Sequence, residues 1–284
     1  MSYLYSYFSL LRKFFLSLGI AFKGPEGIVL AADSRVTLTG QKQTASQQVL
    51  VPATFDNATK MLHVVGQQFA GAVTYGLGVI GQQEPRTAHS FMPEFEDELK
   101  TSGRLSVEDF AKKLSAFFMR QWDSRMPKDY KGPDLIFLVG GYDEGAPYGR
   151  VFEVHIPSSP SPHEHSTGTF GVVWGGQRQF TDRLIQGFDP RLPKIVQESL
   201  SLSDDQTKAL TDTLRGRLGL GVPYPFLPLQ DCVDLAIFLI RTTMKIQTWL
   251  VDVRGVGGAI DVATITRTEG FKAVQQKTII GERT

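Results

Sequence analysis

The chain has 284 residues, 42% of them hydrophobic and 21% charged, with a formal net charge of +1. This is ordinary globular composition with enough chain for a large core, and the near-zero charge gives no support for binding nucleic acid or another polyanion. The one cysteine, Cys232, cannot form an internal disulfide, so the expectation is a reducing, cytoplasmic compartment rather than a secreted scaffold.

The first 22 residues are rich in aromatic and aliphatic side chains, among them Tyr3, Tyr5, Phe8, Leu11, Phe14 and Phe15, with Arg12 and Lys13 in their midst. A signal peptide would carry its charge first and a small-residue cleavage site last. A spanning helix would need about 20 uninterrupted apolar residues. Three readings of 1–16 stay open: a propeptide or packing helix, an amphipathic segment on a membrane surface, or a mis-assigned start. A membrane partner is not the expectation.

Leu18–Lys23 and 28–32 read as two strands of a hairpin around Gly24-Pro-Glu-Gly27, a turn with no Lys-Ser/Thr after it and hence no phosphate loop. The apolar run Ile28-Val-Leu-Ala-Ala32 is covered on both faces. It ends in Asp33-Ser-Arg35, charges that are costly to bury unless paired. The plainest reading pairs Asp33 with Arg35.

Residues 37–57 are polar and rich in Gln and Thr, a long loop holding at most a short hairpin. A second strand pair is predicted over 60–65 and 69–74. A helix falls within 76–100, limited by Pro85 and Pro93. Ser106-Val-Glu-Asp109 signals a helix start, and Phe110, Leu114, Phe117, Phe118 and Trp122 then share one face, as core residues do. Strands follow over 134–143 and 150–156, then a mobile Ser/Pro-rich loop over 157–166. A strand over 169–174 is broken by Gly175-Gly176, with a helix from near Gln177. Helices over 192–200 and 204–218, a Gly/Pro-rich link over 219–228 and a strong helix over 231–247 come next. The last strands are 249–253 and 259–267, before a frayed tail over 272–284. His163-Glu-His165 lacks the further ligands a metal needs, and no motif implies a cofactor. Helices grouped in blocks between blocks of strands give the class α+β, and a four-layer αββα sandwich fits the order. One domain, 17–271, would carry an insertion at about 188–228.

Gly27-Ile-Val-Leu-Ala-Ala-Asp-Ser-Arg35, following Leu18-Gly-Ile-Ala-Phe-Lys23, resembles the start of a proteasome β-type subunit. Asp134 to Asp143, ending Gly-Gly-Tyr-Asp, resembles that family's central strand. The resemblance covers roughly 18–268. It implies the N-terminal-nucleophile hydrolase fold, a threonine-type endopeptidase activity and assembly into a self-compartmentalising ring of identical or related subunits acting on unfolded polypeptide. In such enzymes the first residue's hydroxyl attacks the peptide carbonyl and its α-amine is the base. The resemblance makes Asp33 the aspartate, Lys60 in Ala58-Thr-Lys-Met61 the lysine, and Gly76 the oxyanion-hole glycine.

The chain also departs from the pattern. No threonine lies between Met1 and Asp33. Aligned without a gap, Ser17 takes the nucleophile's place. Aligned on Gly19-Ile-Ala-Phe-Lys23, which matches more residues, Phe15 does, and Ser17 is an ordinary strand residue. Trp174-Gly-Gly176 stands where the family has Gly-Ser-Gly. Asp252-Val-Arg-Gly-Val-Gly-Gly258 stands where it has Asp-x-x-Ser-Gly-Gly, keeping Asp252 and replacing the serine by Val256. These losses point towards a weakened or absent active site. The implied alternatives are a non-catalytic ring subunit and a small-amide hydrolase of the same fold. The Phe117-Phe118 pair and the apolar N-terminus are expected to supply interface surface.

Overall fold

The computed structural model describes residues 17–43, 48–251 and 253–281. The N-terminal segment 1–16, with Phe15, and Asp252 lie outside the described residues.

Two five-stranded antiparallel sheets form the body. The first orders its strands β10 (Gly171–Gly176), β1 (Leu18–Lys23), β2 (Ile28–Asp33), β11 (Ile260–Thr266) and β12 (Gly270–Gln275), and the second β5 (Met61–Leu62), β6 (Ala70–Gly76), β7 (Leu135–Gly141), β8 (Arg150–Ile156) and β9 (Ser159–His165). Strands β1 (Leu18–Lys23) and β2 (Ile28–Asp33) are the hairpin read from the sequence, buried along their whole lengths. Their two apolar faces have different neighbours. Ala21, Ile28, Leu30 and Ala32 face Met61, Val73, Tyr75, Ile136 and Leu138 of the second sheet. Leu18, Ile20, Phe22, Val29 and Ala31 face the last long helix, α6 (Leu229–Gln247), through Val233, Ala236, Leu239 and Ile240. A strand enclosed on both sides has no use for polar alternation, hence the unbroken apolar run.

In the second sheet, β5 (Met61–Leu62) is a two-residue stub beside β6 (Ala70–Gly76), followed by β7 (Leu135–Gly141) and β8 (Arg150–Ile156). Its outer face packs on α1 (Met92–Leu99) and α2 (Val107–Arg125). Ser106 caps α2 by accepting from the Asp109 N–H. Phe117 and Phe118 are 1% and 0% exposed and pack edge-on against Phe91, so they belong to the core and supply no interface surface. The predicted helix over 76–100 is confined to α1, after a 3₁₀ turn at Ala88–Phe91, with Pro93 in the first turn where its missing N–H costs nothing.

Several expectations are overturned. Residues 37–57 hold two eight-residue strands, β3 (Val36–Gln43) and β4 (Gln48–Phe55), paired as a separate ribbon. Alternation in β3 stops after Leu38, and β4 runs Val49-Leu-Val-Pro-Ala53 without a break, so neither shows a sustained period-two pattern. Residues 157–166 contain β9 (Ser159–His165), an edge strand, where Pro160 and Pro162 are tolerated because one side needs no donor. The tail contributes β12 (Gly270–Gln275), which pairs with β11 (Ile260–Thr266) after a turn that sets Gly270 at φ 69°. No strand forms over 249–251, where Trp249 and Val251 stay exposed. β10 (Gly171–Gly176) retains both glycines within the strand, because added Cβ atoms there would strike the Tyr75 hydroxyl and the Ser17 carbonyl. After it come α3 (Gln179–Gln186), α4 (Leu192–Leu200) and α5 (Asp204–Leu218). Ser203 and Gln206 close a full capping box at the start of α5.

Candidate active site

Antiparallel pairing of Gly19 with Ala32 brings the start of β1 and the end of β2 to the same edge of the body. Ser17 and Asp33 therefore meet there. Lys60 arrives from the facing sheet, just before β5, its carbonyl held by the Thr74 N–H at 3.0 Å. The Lys60 ammonium donates to Ser17 Oγ at 2.7 Å and to Asp33 Oδ1 at 2.7 Å. Asp33, 0% exposed, also accepts from the Leu18 N–H at 2.9 Å, the Gly257 N–H at 3.0 Å and the Arg35 N–H at 3.1 Å. A buried carboxylate with four donors is well satisfied.

The plain Asp33–Arg35 side-chain pair does not form. Arg35 reaches Asp33 only through its backbone. Its guanidinium forks onto Asp56, at 2.5 and 2.7 Å, and donates to the Arg254 carbonyl at 3.0 Å. Both Asp33 oxygens are already taken, Oδ1 by Lys60 and the Leu18 N–H and Oδ2 by the Gly257 and Arg35 N–H groups. Hydrogen bonding to Arg35 holds the Asp56 carboxyl below its ordinary range. Gly257 packs against the guanidinium so closely that an added Cβ would lie 2.4 Å from Arg35 Cζ.

Burial pushes the Lys60 amine below its ordinary range. The Asp33 charge and hydrogen bond oppose this, while Lys277 and Arg35 add to it. A lysine so placed is closer to serving as a base than a solvated one. Ser17 is 3% exposed and has φ 142°, a conformation that L-residues rarely adopt. Beside it runs a narrow cleft with about 20 Å³ of free volume, lined by Val36, Thr59, Lys60, Thr74, Tyr75 and Leu77, room for about one water molecule. The geometry brings the ungapped candidate, Ser17, onto Lys60.

Gly76 ends β6 at φ 85°, where an added Cβ would lie 2.2 Å from the Asp134 carbonyl oxygen. Leu77 donates its N–H to that carbonyl, and Thr74 donates towards Lys60. By strand alternation the Gly76 N–H points to the Lys60 side. Val256, at the position of the resembled serine, is 2% exposed and apolar-packed against α6. Sequence reasoning missed Gly257 as a donor to Asp33, although the paired glycines that carry it were visible.

A second polar group lies at the same end of the body. Tyr75 Oη, the His155 ring and the His165 ring all converge on Glu153, the imidazoles at 3.2 and 2.7 Å. They line a crevice of about 430 Å³ between β10 and the β8–β9 edge. Burial works to raise the Glu153 carboxyl, but hydrogen bonds from His155, His165 and Tyr75 outweigh it and hold it well below the ordinary range. The Glu153 hydrogen bond lifts His155 above its ordinary value. A depressed carboxyl stabilises the fold above its unfolded pKa, and a raised imidazole does so below its own. The pair therefore contributes most between about pH 4.3 and 6.5. Glu153→Gln is expected to cost more stability at pH 5.5 than at pH 8 in urea unfolding; equal losses would remove His155 as the cause.

Among the described residues, no group of three or more His, Cys, Asp or Glu side chains is arranged to hold a metal ion. No described helix is long and apolar enough to cross a membrane. Comparison of the sequence with protein-family models finds no match, and comparison with curated proteins finds none either.

Proposed function

We propose that the chain is a proteasome-like hydrolase subunit of the N-terminal-nucleophile type, cutting peptide bonds with Ser17 in the place of the usual threonine. On this reading the succession of helices, sheet, sheet and helices is the four-layer αββα sandwich. The subunit works in a cytoplasmic ring of identical or related chains that admits unfolded polypeptide. The observation that carries the reading is the Lys60 amine, 2.7 Å from both the Ser17 hydroxyl and the Asp33 carboxylate.

The chemistry begins with the Leu16–Ser17 bond. The Ser17 α-nitrogen is then an amide, so Lys60 in its neutral form takes the Oγ proton as the oxygen attacks the Leu16 carbonyl carbon. The C–N bond breaks, and the nitrogen leaves with a proton as a free amine. Water hydrolyses the resulting ester. The freed α-amine then serves as base towards a peptide substrate, with Gly76 N–H as the donor to the developing oxyanion. Asp33 keeps Lys60 in place throughout.

A second reading, a ring subunit that cuts nothing, is favoured by Val256, an apolar side chain where the resembled pattern has a serine. Intact mass spectrometry separates the two. A chain beginning at Ser17, which then gains one acyl group from an electrophilic peptide analogue on Ser17, is expected. A chain retaining residues 1–16 and unlabelled by the analogue would leave the non-catalytic reading. Sedimentation of the same sample tests the assembly: particles of six or more subunits are expected, and a clean monomer would refute the ring.

A further inference from the structure

We infer that the segment after β12 completes the active centre, with Lys277 as a positioning residue that braces Asp33 and Lys60 through Asp261 and Ser34. This rests on the hydrolase reading above. Lys277 lies two residues beyond β12, and its ammonium forms an ion pair with Asp261 and donates to Ser34 Oγ at 3.3 Å. Its backbone N–H donates to the other Asp261 oxygen at 3.1 Å. Ser34 Oγ is itself 3.5 Å from Asp261. Ser34 and Asp261 are 0% and 2% exposed.

Ser34 is the residue after Asp33, and its peptide groups tie the centre together. Its N–H donates to the Gly257 carbonyl and its carbonyl accepts from Ala58 N–H, both at 3.0 Å. One end of Ser34 thus fixes the loop that donates to Asp33, and the other fixes the segment that carries Lys60. Locking the Ser34 hydroxyl between Lys277 and Asp261 removes the remaining freedom of that residue. A connected network of this kind, with Ser34 and Asp261 buried, holds geometry better than its separate bonds.

The same placement sets a second positive charge behind Lys60. The charged groups acting on Lys60 are Asp33 from β2, Arg35 and Asp56 at the base of the ribbon, and Lys277 from beyond β12. His89 faces Lys277 across a crevice of about 520 Å³ that also includes Asn57, Thr59 and Met61. Lys277 repels the Lys60 proton, so its charge favours the neutral amine that takes the Ser17 proton.

The test is an NMR titration of the Lys60 side-chain nitrogen in full-length protein, assigned by its loss in Lys60→Met. In Lys277→Met the Lys60 midpoint is expected to rise by about half a pH unit or more. In Lys277→Arg, which keeps the charge, it is expected to stay put. The pH profile of Leu16–Ser17 cleavage should move with it in the same direction. An unchanged or lowered midpoint in Lys277→Met would overturn the inference. Lys277→Gln repeats the measurement with a polar side chain. Loss of fold in both neutral variants, with Lys277→Arg intact, would also overturn it and leave Lys277 a purely structural residue. A shifted midpoint without cleavage at any pH would sink the hydrolase reading alone, because the titration needs no catalysis.

Discussion

Replacing Asp33 by alanine is expected to cost about 3–5 kcal/mol of folding free energy, the range for breaking a buried ion pair from one side. Lys60 is 4% exposed, and without its counter-ion it would have to hold an unpaired charge or give up its proton. The N–H groups of Leu18, Arg35 and Gly257 would lose their shared acceptor as well, and unpaired buried donors add their own desolvation cost. Against a typical total of about 5–15 kcal/mol this is a large fraction. Asp33→Asn keeps the shape but turns one acceptor into a donor facing donors, so it is expected to fall in the same range. Urea unfolding of both variants beside the parent chain reads the cost. A loss below about 1 kcal/mol, the scale of an exposed pair, would mean that Asp33 does not anchor this end of the body.

The sequence carried the parts of this centre that lie on buried strands. Ile28 to Ala32 had to be enclosed, so the charged residues after it had to sit at a mouth. From the residues alone the partner for Asp33 is Arg35, and only the resemblance implies Lys60. What stayed hidden depended on long-range geometry. Whether Ser17 or Phe15 stood at the nucleophile's place turned on a register that local matching cannot fix, since one extra residue in a turn moves every partner. The structure pairs Gly19 with Ala32, which sets Ser17 beside Asp33, and the facing sheet brings Lys60 onto both. Arg35 could have paired with its near neighbour. Asp56 wins because the ribbon of β3 and β4 returns the chain to Arg35, and the Gln- and Thr-rich stretch suggests no more than a short hairpin there. Lys277 sits in a polar tail, where nothing local shows that β12 pairs with β11 and delivers it to Asp261. The α2 stripe was legible as core, yet its Phe117-Phe118 pair was also counted as surplus surface. Its coverage depends on Phe91 and Phe95, which come from a separate helical segment.

Replacing Lys60 by methionine is expected to separate activity from stability. Methionine fills a similar volume without a charge to bury, and Asp33 keeps three backbone donors. The stability loss should therefore be smaller than for Asp33→Ala. The rate of Leu16–Ser17 cleavage should fall by about 10²–10⁴-fold, the range for removing a positioned base, because among the described side chains Lys60 is the amine on Ser17 Oγ. Lys60→Arg sharpens the point. A guanidinium retains positive charge beside Asp33 but does not give up its proton at any working pH. If charge alone were needed, arginine would restore the rate; if a base is needed, it stays as slow as methionine. The second outcome is expected, since burial lowers the Lys60 pKa and makes its neutral form accessible. For the parent chain the rate should rise with pH as Lys60 loses its proton, and the methionine variant should lack that rise. Time courses by mass spectrometry across pH 6 to 10 follow both. Cleavage of Lys60→Met at the parent rate would remove Lys60 from the chemistry and leave it, with Asp33, as a pair that only holds the two sheets in place.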